Sequence, residues 1–114
     1  AQVRADEMAA SGAYSHTRPD GRKYTTVTDC KYVGENIHRI ADWALQGKPV
    51  SEVAMWSWNH SAGHQNNLLD KSYAEIGVGL ARGVNEDGYE CWYCVQLFLW
   101  NGYSVSWVDA PAAK

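Results

Sequence analysis

Between residues 89 and 100 the sequence reads YECWYCVQLFLW, a run that is apolar on both faces if the chain is extended. A strand buried on both sides needs one layer of structure above it and another below. Just upstream, Ile76, Val78 and Leu80 alternate with Gly77 and Gly79, which predicts a second strand whose glycine side lets another element approach closely. Asn85, Glu86, Asp87 and Gly88 supply the turn between the two. The expected class is therefore α+β, an antiparallel sheet held between helices.

Three segments read as helices. Residues 3–11, VRADEMAAS, are strong helix formers followed by Gly12 as a stop. From Glu35 onward, Ile37, Ile40, Ala41, Ala44 and Leu45 fall at helical spacing, with Gly47 and Pro49 ending the run. Val50, Val53, Ala54 and Trp58 then form the inward stripe of a helix over 50–60, with Glu52 in its first turn. Residues 61–70, SAGHQNNLLD, read as a turn or a single helical turn. The stretch 12–34 is rich in Gly, Thr, Pro and Asp and reads as a long loop of the kind that carries binding or catalytic groups. Residues 101–114, rich in Ser and Ala, read as a surface extension beyond a domain spanning 1–100.

The length of 114 residues fits one domain with a real core. A net charge of -3 and the absence of a Lys/Arg cluster argue against nucleic acid as a partner. No apolar run approaches the roughly 20 residues of a membrane span. The chain starts at Ala1 without an initiator Met or a capping residue, and reads as N-terminally truncated. Cys91 and Cys94 form a C-x-x-C, but on a strand they point to opposite faces about 10 Å apart, too far for a mutual disulfide or a shared metal. That leaves either a bridge from Cys30 to one of them or three buried thiols.

Five strings occur in order along the chain: H-T-R-P-D-G from His16, G-E-N-I at 34–37, W-x-x-S-x-G-H from Trp58 to His64 with N-x-L after it, I-G-V-G at 76–79, and V-Q-L-F at 95–98. In order and separation they resemble bacterial domains of the CAP superfamily, which groups cysteine-rich secretory, antigen 5 and pathogenesis-related proteins. The resemblance implies a three-layer α-β-α sandwich, an extracellular or cell-surface location, and a further N-terminal helix that this chain lacks. It also implies that His16, Glu35, Ser61 and His64 converge on one cleft. Ser61 stands where the larger eukaryotic members carry a second acidic residue.

Given that convergence, His16 and His64, with Glu35 as a weaker third ligand, form a set suited to zinc or another divalent ion with positions left for water. A binding module for a small apolar, lipid-like or peptide ligand, or for a cell-wall or surface partner, is the function expected. The first alternative is a peptidase with Ser61 as nucleophile, His64 or His16 as base and Glu35 as orienter. It lacks a G-x-S-x-G elbow and a glycine-rich oxyanion hole. The second alternative is a structural or adhesive domain of a larger surface protein. Read singly, Glu35 opens a helix and complements its dipole, His64 braces a turn, His16 is a solvated loop histidine, and His38 lies on a helix surface outside the apolar stripe.

Overall fold

The structure, a computed structural model, describes residues 1–30, 32–70, 72–73 and 75–100. It comprises three helices, α1 (Gln2–Ser11), α2 (Val50–Asn59) and α3 (Ala62–Leu69), and three strands, β1 (Val33–Ala41), β2 (Glu75–Val84) and β3 (Glu90–Leu99). The strands form one antiparallel sheet in the order β1-β3-β2. The class is α+β, as expected. The extension expected over residues 101–114 lies outside the described residues.

The apolar 89–100 segment owes its composition to its place. β3 is the central strand, and its side chains alternate between two separate cores. Cys91, Tyr93, Val95 and Leu97 join Val33 and Ile37 of β1 against Ala5 and Met8 of α1. Cys94 faces the other way, with Ala54 and Trp58 of α2, and with Val50, Leu68, Leu80 and Trp92 around them. Cys91 and Cys94 therefore do point to opposite faces, and all three cysteines are free thiols.

The glycines of β2 set how closely α1 can lie. At Gly83 a Cβ would stand 2.8 Å from the carbonyl oxygen of Ala9, so the helix backbone occupies the space a side chain would need. α1 ends at Gly12, which adopts φ 72 and donates its N–H to Met8 O.

The segment from Glu35 is a correction. It is strand β1 rather than a helix, and only a short 3-10 turn (Asp42–Ala44) follows it. In a strand, Ile37 and Ile40 face opposite sides, and both sides of β1 are covered over its first half. The period-2 signal was hidden because Glu35 and Asn36 are polar yet buried, each held by specific partners. Glu35 consequently opens no helix, and His38 is a partly buried strand residue paired in register with Cys94. The 61–70 segment is a second correction, since α3 is eight residues long.

β1 is an edge strand, and over its first half the outer carbonyls of Val33, Glu35 and Ile37 are closed by side chains. Tyr24 donates its hydroxyl to Val33 O at 3.1 Å, and Asn67 donates Nδ2–H to Glu35 O at 3.3 Å. Tyr14 Oη and Trp58 Nε1 both donate to Ile37 O, at 3.2 and 3.1 Å. Over that half the edge offers no template to a further strand. It also fixes the 14–24 loop on one side of β1 and the α2–α3 corner on the other.

Candidate functional site

Glu35 sits on the α1 side of β1, 4 % exposed. Arg4, on the inward stripe of α1, meets it with two charge-assisted bonds, Nε to Oε2 at 2.8 Å and Nη2 to Oε1 at 3.2 Å. Both side chains are shut off from solvent. The remaining donors of Arg4 reach Ser15 O at 2.6 Å and Glu7 Oε2 at 3.3 Å. Arg18 in turn holds Glu7, and its proximity pulls the Glu7 carboxyl below its ordinary range. The start of the 12–30 loop is thereby tied to α1.

His16 completes the group. Its Nδ1 lies 2.9 Å from Glu35 Oε1, while its ring remains 52 % exposed. A carboxylate ion-paired with arginine is an acceptor, so Nδ1–H donates to it and Glu35 fixes the orientation of the ring. Tyr24 packs beside the imidazole, ring centroids 5.7 Å apart.

Ser61 and His64 come from the other side of the edge strand. Ser61 occupies the N-cap position of α3, yet its hydroxyl makes no cap bond. It meets His64 instead, Oγ to Nδ1 at 2.9 Å. An N-cap serine ordinarily satisfies a helix N–H worth about 1 kcal/mol, so directing it to the imidazole is a local cost. Asn36, fully buried, anchors α3 by donating Nδ2–H to His64 O at 3.1 Å and to Gln96 Oε1 at 3.2 Å. Its Oδ1 accepts from Asn67 at 3.0 Å.

Burial lowers the pKa of His64, and the charge of His16 lowers it further. Burial likewise lowers that of His38, with His64 as the second cause. His64 thus lies within electrostatic reach of His16, and His38 within reach of His64. His16 contacts Glu35, and Ser61 contacts His64, but the Glu35 carboxylate is turned to Arg4 and His16. Among the described residues no carboxylate hydrogen-bonds His64. Nor is any group of three or more His, Cys, Asp or Glu among them placed to hold a metal ion. Both oxygens of Glu35 are already engaged, so the donors free for an ion are imidazole nitrogens.

Arg4, Asn36 and Asn67 were not among the expected site residues. Arg4 had a signal, for this lone arginine stands on the same helical stripe as Ala5 and Met8. Asn36 lies inside the G-E-N-I string. Nothing in the local sequence distinguishes Asn67 from Asn66.

Residues 1–98 match the family model of CAP, the cysteine-rich secretory protein family. No curated protein and no solved structure matches the chain.

Proposed function

The chain belongs to the cysteine-rich secretory protein family, and on that premise we propose an extracellular or cell-surface binding module working through the cleft of His16, Glu35, Ser61 and His64. The carrying observation is the pair of imidazoles on either side of edge strand β1, His16 fixed by Glu35 and His64 fixed by Ser61, both at 2.9 Å. Each ring is oriented through its Nδ1. The occupant is a small apolar, lipid-like or peptide ligand, or a cell-wall or surface partner. No helix among the described residues is long and apolar enough to cross a membrane. The fold proposed is the family's three-layer α-β-α sandwich, supported by separate cores on the two faces of the sheet. The domain proposed is 1–100, with 101–114 as an extension.

A divalent ion such as zinc fits as a further occupant only in a restricted form. His16 Nε2 and His64 Nε2 would hold it, with water in the remaining positions, and Glu35 would act behind His16 as the carboxylate that orients a ligating imidazole. Bound there, the ion would supply a positive charge able to polarise a carbonyl or phosphoryl oxygen.

Thermal shift with sterols, fatty acids and cell-wall fragments, each with and without zinc, tests the reading. A raised Tm for at least one is expected, and no shift for any removes its support.

One observation favours a peptidase as the second reading: the Ser61 Oγ to His64 Nδ1 distance of 2.9 Å is that of a nucleophile and its base. Ser61→Ala and His64→Ala would then abolish a purified activity, and unchanged turnover excludes it. In a purely structural or adhesive domain, replacing His16 and His64 would cost stability and no binding.

A further inference from the structure

α2 has a second face. Its inward residues are Ala54 and Trp58, whereas Glu52, Val53 and Trp56 border a cavity of about 250 Å³ closed on the other side by the 44–48 turn. The cavity shares no residue with the His16–His64 cleft. Ala44, Leu45 and Val53 give it an apolar wall. Gln46, Lys48 and Glu52 line it too, and no ion pair or side-chain hydrogen bond among the described residues engages their polar ends.

Two features show a prepared surface. Trp56 is 63 % exposed, yet one face of its indole is backed by the His60 ring at 4.0 Å and 17°. His60 is itself pinned by Nδ1 to Trp56 O at 2.6 Å. The indole, backed on one face and largely exposed, thus borders the cavity as a supported platform. The turn beside it is strained: Gln46 has φ 52, the left-handed region that favours glycine or asparagine, and it is followed by Gly47 at φ 78. Lys48 N–H closes the turn on Leu45 O at 3.0 Å.

We propose that this cavity binds one N-acetylated hexosamine ring of a glycan. The volume lies below that of sites for drug-sized ligands and suits a single ring. The C–H face of a pyranose stacks on a flat aromatic surface. Its hydroxyls both donate and accept, matching the ammonium of Lys48, the carboxylate of Glu52 and the amide of Gln46. An acetamido methyl fits against Ala44, Leu45 and Val53. A lipid chain would leave three polar groups desolvated without partners, and a phosphate would meet Glu52.

The test is a titration of the isotope-labelled chain with triacetylchitotriose, followed by NMR of backbone amides and indole N–H groups. The Trp56 indole signal is identified by its loss in Trp56→Ala. Saturable shifts confined to residues 44–60, at least tenfold weaker with maltotriose, are expected. Because Trp56 is exposed, Trp56→Ala should keep the dispersed spectrum and lose binding, and Glu52→Gln should weaken it several-fold. Tighter binding of a peptidoglycan disaccharide fragment than of chitotriose assigns the ring to a bacterial wall, and the reverse order assigns it to a chitin-like polymer. No saturable shift up to about 10 mM overturns the proposal, as does an equal response to maltotriose or to free amino acids. Shifts at His16 and His64 alone would also overturn it, while leaving the cleft reading intact.

Discussion

Arg4 and Glu35, 31 residues apart in sequence, meet through two hydrogen bonds with both side chains fully buried. The pair joins α1 to β1 and sets the carboxylate on which His16 turns. Breaking a buried pair from one side leaves a charge uncompensated, at about 3–5 kcal/mol. Arg4→Met should cost that much in denaturant unfolding. Arg4→Met combined with Glu35→Leu should recover part of it, because no lone charge remains. A loss below about 1 kcal/mol for Arg4→Met would show that the pair does not organise the fold.

The approach of α1 to β2 gives a sharp contrast between two glycines. A Cβ at Gly83 would meet the Ala9 backbone at 2.8 Å, whereas one at Gly77 would find its nearest neighbour at 3.6 Å, an ordinary contact. Gly83→Ala should destabilise by about 1–3 kcal/mol through overpacking. Gly77→Ala should be neutral or stabilise by up to about 1 kcal/mol through the unfolded chain. Equal Tm changes for the two would contradict the packing described.

Ile37 O accepts from both Tyr14 and Trp58, so the two donors should not act independently. Tyr14→Phe alone leaves the carbonyl satisfied and should cost about 0.5–1 kcal/mol. In a Trp58→Phe background the same change orphans the carbonyl and should cost about 1–3 kcal/mol. A double-mutant cycle measures the difference, and strict additivity would dissociate the two bonds.

The central strand and the helix at 50–59 were legible because their apolar patterns are uninterrupted. β1 was not, and the reason is chemical: Glu35 and Asn36 break the apolar alternation, and their burial is made tolerable by Arg4, Gln96 and Asn67, each 31 or more residues away, and by His16, 19 residues away on the loop. The same long-range partners decided the site. That His16 and Glu35 meet was implied by motif order alone, while the turning of Glu35 toward Arg4 instead of His64 depends on where α1 lies. Helix packing of that kind leaves no local trace.

His64 and His38 are both held below the ordinary histidine value of 6.5, chiefly by burial. A histidine with a lowered folded pKa binds fewer protons folded than unfolded. Stability therefore rises with pH between the folded value and 6.5, and the penalty is complete below the folded value. Unfolding free energy should fall as pH drops from 7 toward 5, and His38→Gln should flatten the slope. A slope unchanged in that variant would remove His38 from the account.

The cleft itself rests on His16 and His64 sharing one space across β1, and a histidine NMR titration reads this directly. In the unmodified chain the His64 midpoint should lie below 6.5. In His16→Ala it should move upward without reaching 6.5, because the charge of His16 is gone while burial, the larger cause, persists. A His64 midpoint that is the same with and without His16 would contradict the shared cleft.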